Sequence, residues 1–405
     1  YESILESRPI VAGLSPQKNV QLQAAYENQK IKNQRIDWED VLILTLGLLR
    51  AEPRAMTHVR SQYRFFTVDE YQDISPLQHA LLDQWRGEHA ELCVVGDPNQ
   101  TIYSFTGASS EFLRNFAEKF PSARVSELTT NYRSTPQIVS FANRLTSEAK
   151  TGGSLTAFRS PGETPRTRVY SNPLEEARAV ATEISERLSN GSKASEIAVL
   201  YRVNSQSETL ERALGEAGVT FQIRGGERFF NRPEIKSAVQ LVRAEAASPG
   251  EKPIYQAVTD IVRSLGWQQQ RPVSPGAVSE KWEALNSFLA MVDELPENAS
   301  IKDFAQEIQD RARSQHEPVK EAVTLSTIHA AKGLEWGEVF IVGLTEGYLP
   351  ISYAKTDAEI AEEKRLLYVG LTRARDVLEL SWYKKDSANR DRTKSRFLGI
   401  LNPGS

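Results

Sequence analysis

Sulfur is scarce in this chain: one cysteine, Cys93, and two methionines stand among 405 residues. A lone cysteine excludes an internal disulfide framework and any cysteine-rich zinc module, and it suits a reducing compartment, so a cytoplasmic protein is expected. Long apolar runs are missing as well. No stretch approaches the roughly 18 residues of a membrane-spanning helix, so no membrane partner is expected. Charge of one sign is missing too: 49 lysines and arginines face 53 aspartates and glutamates, a net charge of −4. That balance argues against a wholly basic nucleic-acid coat protein but leaves room for a local basic track. Repeats and low-complexity tracts are absent. What is there is 40% hydrophobic and 25% charged residues, over a length that suits two or three domains. The first residue is Tyr1 rather than methionine, so a fragment of something longer is expected.

Residues 1–36 are polar and carry no recognisable chemistry. Asp37 reads as a helix N-cap, with Asp40 at the capping-box position, before the apolar face of Val41, Leu42, Leu44 and Leu48. Between 64 and 150, apolar runs at Phe65–Val68, Leu92–Val95 and Val125–Leu128 alternate with amphipathic stretches. One of these opens on Ser75-Pro76, a good helix start. Strands alternating with helices imply a parallel sheet with crossovers. The segment 151–166, rich in Gly and Pro, reads as a linker. A second α/β pattern follows, with strands at Ile197–Tyr201, Phe221–Ile223, Val323–Leu325, Val339–Val342 and Val377–Leu380. It is interrupted at 244–320 by helical stretches, one carrying Trp282, Leu285, Leu289, Val292 and Leu295 on one face and another capped by Ser300 with Asp303.

Three segments carry chemistry in the first half. Phe65-Phe66-Thr67-Val68 ends abruptly in Asp69-Glu70-Tyr71-Gln72-Asp73, placing carboxylates at the sheet's C-terminal edge, where α/β folds bind ligands. In a nucleotide site Asp69 would hold Mg²⁺ and Glu70 would orient or deprotonate water; alone, an acidic turn after a buried strand is as good a reading. Next comes Gly96-Asp97-Pro98-Asn99-Gln100-Thr101-Ile102-Tyr103-Ser104-Phe105-Thr106-Gly107-Ala108. There an amide past a strand suits a γ-phosphate and an exposed aromatic suits a base, although aromatics more often fold back onto the core. Last is Leu128-Thr129-Thr130-Asn131-Tyr132-Arg133-Ser134-Thr135-Pro136, an arginine beside a helix N-terminus, which suits a phosphate, although in isolation a plain surface arginine is the commoner case.

In this order and wording, the three segments resemble motifs II, III and IV of the UvrD/PcrA/Rep type of superfamily-1 DNA helicases. Val323-Thr324-Leu325-Ser326-Thr327-Ile328-His329-Ala330-Ala331-Lys332-Gly333-Leu334-Glu335-Trp336 is similar to motif V. Glu362-Glu363-Lys364-Arg365-Leu366-Leu367-Tyr368-Val369-Gly370-Leu371-Thr372-Arg373-Ala374-Arg375 is similar to motif VI. The Phe-Thr-Gly-Ala wording at 105–108 and the Arg-Gly-Gly-Glu-Arg-Phe-Phe wording at 224–230 are similar to a second UvrD-like paralogue of actinobacteria. The resemblance implies two RecA-like parallel-sheet motor domains. The first is incomplete, and the second carries a small helical insertion. The implied bounds are a helical remnant at 1–36, the first motor domain at 37–150, a linker at 151–166, the second motor domain at 167–243 and 321–405, and the insertion at 244–320.

The resemblance also implies roles. Asp69 would hold Mg²⁺, Glu70 would be the catalytic base, and Gln100 would sense the γ-phosphate. Tyr132 would stack on adenine, and Arg133 and Arg373 would approach the γ-phosphate from the two domains. Gly333 and Glu335 would meet the nucleotide, the carboxylate at the ribose. Tyr103, Phe105, Arg202, Asn204 and His329 match strand-contacting positions, with Phe105 where relatives often carry Trp and Thr106 where many carry Arg. The implied activity is ATP- and Mg²⁺-dependent 3′–5′ translocation on single-stranded DNA and at its junctions with duplex, by a nucleoid-associated bacterial protein, a monomer being favoured. Local charge agrees: 222–243 holds five basic and two acidic residues, and 370–396 eight against four. A solvated charged face would show the same counts.

The family also needs a phosphate loop, GxxGxGK[ST], and nothing in 1–405 matches it. That departure leads us to expect weak or no ATP hydrolysis by this chain alone. It also keeps a second reading open, a catalytically silent helicase-like module that binds DNA or a partner as a scaffold or regulator.

Overall fold

The structure, a computed structural model, describes residues 15–88, 91–147, 154–203, 206–224, 230, 232–248, 250, 252–270, 277–293, 295–296, 298–314, 321–386 and 389–401. The chain divides into two compact units. Tyr1–Thr130 joins Leu145–Leu155 and Lys355–Tyr368 in the first; Asn131–Arg144, Thr156–Ala354 and Val369–Ser405 make the second. The segment Asn131–Arg144, which the sequence reading groups with the first domain, therefore packs with the second unit.

In the first unit, helix Trp38–Ala51 starts as its sequence dictates. The Asp37 carboxylate accepts from the Asp40 N–H at 2.9 Å, and the Asp40 carboxylate accepts from the Asp37 N–H at 3.0 Å. Both orphan donors of the first turn are thus satisfied reciprocally. Ser75 and Gln78 form the same box ahead of Pro76–Arg86, with Pro76 at the first helical position, where it gives up no hydrogen bond. Leu46, Leu49, Met56, Leu77 and Leu81 bury these helices against one another. Strands Phe66–Val68 and Leu92–Val94 pair in parallel, Val68 opposite Val94. Their apolar side chains pack with Tyr71, Ile74, Leu82, Phe112, Leu113 and Phe116. The third expected strand does not form. Residues 125–128 are irregular, and Val125 and Leu128 are 67% and 86% exposed. A short apolar alternation with no neighbouring strand has no ladder to join.

The second unit is built on a six-stranded, all-parallel sheet. Its order is Arg166–Tyr170, Ala374–Tyr383, Trp336–Ile341, Ile197–Tyr201, Val323–Thr327, Phe221–Arg224. The five expected strands are all present. Ile197–Tyr201, an unbroken apolar run, is buried at every residue, as a central parallel strand with both faces covered must be. The edge strand Arg166–Tyr170 escaped the sequence reading because it alternates arginine with smaller residues. Its Arg166 and Arg168 lie against the buried Glu379 of the neighbouring strand, with Nε to carboxylate distances of 3.0 and 3.6 Å. Helix Pro173–Ser189, capped by Asn172, covers one face through Ala177, Val180, Ala181 and Ile184.

A separate helical layer consists of Pro233–Ala247, Ile254–Ser264, Ala277–Ala290 and Ile301–Ser314 around Phe288, Phe304, Leu285, Val258 and Val242. Its Ser300–Asp303 cap forms as expected. Helix Pro233–Ala247, which the sequence reading assigns largely to the sheet domain, contributes Ile235, Ala238 and Val242 to this layer.

One buried acid sets a testable pH dependence. The Glu176 carboxyl accepts from the Gly343 N–H at 3.0 Å and the Ser381 hydroxyl at 2.6 Å. Burial pushes it up to about 7 despite those two donors. The fold therefore holds a proton that the unfolded chain releases near its ordinary 4.5. Stability from this group is complete below that value and is lost as pH rises through about 7, a span worth about 3 kcal/mol. Glu176→Gln keeps the accepting oxygen and cannot ionise. Its stability advantage over the parent, read from urea midpoints, is expected to grow from pH 4.5 to 8, and a constant difference would refute this.

Candidate functional site

The two strands of the first unit end side by side, and their ends carry the acids and amides singled out above. The Val95 N–H donates to the Val68 carbonyl at 2.8 Å and the Tyr71 N–H to the Val95 carbonyl at 2.9 Å, locking the two turns together. Asp69 accepts from the N–H of Glu70 at 2.8 Å. Glu70 sits in the left-handed region, φ +53°, uncommon for a residue with a side chain. Gln72 is the organiser that the sequence reading quoted without giving it a role. Its amide is 1% exposed; Nε2 donates to the Glu70 carboxylate at 2.6 Å, and Oε1 accepts from the Asp97 N–H at 3.1 Å. Gly96 makes this possible, since a side chain there would run into Gln72 Oε1. Gln100 Nε2 in turn donates to Asp97 Oδ2 at 3.0 Å. Asp69, Glu70, Gln72, Asp97 and Gln100 thus form one polar strand-end cluster.

Among the described residues no group of three or more His, Cys, Asp or Glu side chains is arranged to hold a metal ion. The chemistry of the acidic end nonetheless suits Mg²⁺, which takes one or two carboxylates and completes its shell with water and phosphate oxygens. Asp69, exposed at the strand end, offers one such carboxylate. Tyr103 lies near this cluster. Burial pushes its phenol up, and the Asp73 and Glu70 carboxylates add to the shift. Phe105 falls on the turn Ser104–Thr106, and its side chain lies outside what the structure describes.

The second unit gathers Arg133, Glu335 and Arg373. Asn131 Oδ1 accepts from the N–H groups of Arg133 and Ser134, at 3.0 and 2.8 Å, folding this segment into a tight turn. Ser134 Oγ and the Thr135 N–H then donate to the Ala374 and Arg375 carbonyls, at 2.6 and 3.1 Å. Arg133 Nε meets the Glu335 carboxylate, and Nη1 donates to the Thr372 carbonyl at 3.2 Å. Nη2 makes no hydrogen bond among the described residues, so one edge of the guanidinium keeps two donors uncommitted. Arg373 is 2% exposed. It donates from Nε to the Val369 carbonyl, from Nη1 to the Leu334 carbonyl, both at 3.0 Å, and from Nη2 to Thr372 Oγ1 at 3.2 Å. Gly333, at φ +82°, turns the chain into Leu334 and Glu335.

Tyr132 is 67% exposed, and its ring lies 5.0 Å from that of Phe158, itself 71% exposed. Phe158 falls in the segment whose Gly and Pro content reads as a linker, so its own sequence context gives no sign of this contact. At the ends of adjacent strands Ile197–Tyr201 and Val323–Thr327, Arg202 and His329 come together. Burial, and then the Arg202 guanidinium, hold the imidazole down to about 4, so it is neutral at physiological pH. Asn204 lies outside the described residues.

The profile of the UvrD/REP helicase N-terminal domain matches residues 10–121. That of the UvrD-like helicase C-terminal domain matches 126–273 and 250–385. The chain is 43% identical over 382 residues to ATP-dependent DNA helicase UvrD2 of Mycobacterium tuberculosis H37Rv, covering 91% of this chain and 54% of that protein. It is 29% identical over 468 residues to DNA helicase II of Escherichia coli K12, covering 93% and 64%. To ATP-dependent DNA helicase PcrA of Bacillus subtilis it is 28% identical over 461 residues, covering 93% and 62%. The chain thus spans between about half and two thirds of the length of these relatives. With its C-terminal profile alone matching more than half of its residues, the chain belongs to the UvrD-like helicase family.

Proposed function

We propose that this chain supplies much of the motor of an ATP-dependent DNA helicase that moves 3′ to 5′ on single-stranded DNA and at junctions with duplex. Arg133 carries the reading: a guanidinium oriented by Glu335 and Thr372 with one edge uncommitted is built to meet a phosphate. In this proposal Asp69 holds Mg²⁺, which offsets phosphate charge when bound. Glu70, oriented by Gln72, takes the proton of the attacking water, and Gln100 contacts the γ-phosphate. Tyr132 stacks on the adenine, and Gly333 and Glu335 line the nucleotide. Arg373, held inside its unit, becomes a second phosphate contact after its side chain leaves Leu334. Tyr103, Phe105, Arg202, Asn204 and the neutral His329 contact the strand without reading its sequence. The protein works as a monomer in the bacterial cytoplasm, at the nucleoid.

The protein of the complete reading frame, once purified, is expected to hydrolyse ATP faster when single-stranded DNA is added. It should unwind duplexes with 3′ tails and not those with 5′ tails. The 405-residue chain alone is expected to hydrolyse ATP near background, because it holds no GxxGxGK[ST] loop. The same absence supports the alternative of a silent DNA-binding scaffold. Strand binding without turnover by the complete protein would favour that alternative.

A further inference from the structure

Phe158 and Arg159 lie in a stretch that reads as a connection, yet they make contacts that a connection does not need. The Phe158 N–H donates to the Asn131 carbonyl at 2.8 Å, fastening the two residues to the turn that presents Tyr132 and Arg133. The Phe158 ring then packs on the Tyr132 ring at 5.0 Å and a tilt of 44°. An aromatic residue 71% exposed gains little from burial, so its contact with another exposed ring needs a further explanation. Arg159 turns its guanidinium onto main-chain acceptors: Nη1 donates to the Arg133 carbonyl at 2.8 Å and to the Arg375 carbonyl at 3.1 Å, and Nη2 to Asp376 Oδ1 at 2.6 Å. One planar group thus ties together the carbonyl of Arg133 and the segment that follows Arg373. A cavity of about 520 Å³ opens beside these residues, lined by Thr135, Phe158, Arg159, Gly162, Glu163 and Asp376 among others.

From this geometry we infer that Phe158–Arg159 is a positioning element for nucleotide binding, the ring setting Tyr132 against the purine and the guanidinium setting Arg133 against the phosphate. The inference rests on the motor function proposed above. A tyrosine ring free to swing loses part of its stacking on binding a base, because ordering it then costs conformational entropy. An arginine whose backbone shifts by an ångström loses its alignment with the transferred phosphate. The two residues should therefore fail in different ways.

The test uses the protein of the complete reading frame and its DNA-stimulated hydrolysis of ATP. Phe158→Ala is expected to raise KM for ATP about fivefold with kcat kept, a loss of base stacking. Hydrolysis of ribose triphosphate, which has no base to stack, should not change. Arg159→Gln is expected to lower kcat about 10- to 100-fold with little change in KM. Guanidinium added in the millimolar range should restore part of it by entering the adjoining cavity. If Arg159→Gln fails to fold, Arg159→Lys takes its place; it keeps the charge opposite Asp376 and lacks the planar fork, so the same fall in kcat is expected. Kinetic constants unchanged in the Phe158 variant, or in the folded Arg159 variant, would overturn the inference and leave the motor function standing. A parent protein that hydrolyses no ATP would overturn both.

Discussion

Arg133→Ala, in the protein of the complete reading frame, is expected to hydrolyse ATP about 10³-fold or more slowly than the parent, the scale seen when an arginine that stabilises a phosphoryl-transfer transition state is removed. Its urea midpoint is expected to stay close to the parent's. The two expectations separate because the contacts that orient Arg133 are weak in folding terms. Its side chain is 34% exposed and that of Glu335 is 43% exposed, so their ion pair is partly solvated and worth about 0–1 kcal/mol. The carboxylate left behind still has Arg375 Nη1 at 3.9 Å. A 10³-fold loss of rate, by contrast, is about 4 kcal/mol of transition-state stabilisation. Arg133→Lys is the sharper comparison. It keeps the charge, but a single ammonium cannot bond Glu335, the Thr372 carbonyl and a phosphate in one plane as the guanidinium can. The lysine variant should therefore resemble the alanine variant in kcat and the parent in fold. Turnover within severalfold of the parent in both would remove Arg133 from the reaction.

The residues given roles in the proposed reaction are legible where their signal is local. An apolar strand that ends in two acids can be read at Val68-Asp69-Glu70, the Asp37–Asp40 box from a three-residue spacing, and the next helix start from Ser75-Pro76. Other features depend on partners far away in sequence. Gln72 looks like any amide in a polar turn until Asp97, 25 residues on, supplies the N–H that its oxygen accepts. Arg166–Tyr170 carries too little apolar signal to name a strand until Glu379 faces its arginines from the next strand. Arg159 reads as a linker cation until Asp376 and the Arg375 carbonyl, more than 200 residues later, meet its guanidinium. The error at Val125–Leu128 has the same origin. Alternation names a strand only where a neighbour offers a ladder, and here the apolar side chains stay in solvent. Arg373 shows the limit from the other side. Its sequence context matches a phosphate contact, while bonds within the second unit hold it against Val369, Leu334 and Thr372, which sequence spacing does not foretell.

The second large effect is expected at Glu70, where backbone and side chain make separable demands. Holding a residue with a Cβ in the left-handed region costs about 1–2 kcal/mol. The structure accepts this at φ +53°, and the turn places the carboxylate where Gln72 Nε2 donates to it at 2.6 Å. Glu70→Gln keeps the shape and an oxygen to accept that bond, but it cannot take a proton from water near neutral pH. Turnover is expected to fall by about 10²- to 10⁴-fold, the span of positioned general bases, with affinities for ATP and single-stranded DNA unchanged. Glu70→Gly removes the same carboxylate and relieves the backbone. The relief is offset by the greater freedom of glycine in the unfolded chain, about 0.5–1 kcal/mol, and by the loss of the acceptor for the buried Gln72 Nε2, about 1–3 kcal/mol, so this variant should be less stable than Glu70→Gln while equally slow. A loss of activity that tracks a loss of stability across the two variants would make Glu70 a structural residue. Equal inactivity in two folded proteins of unequal urea midpoint is the outcome that a proton-accepting carboxylate requires, since only the missing acid is common to both.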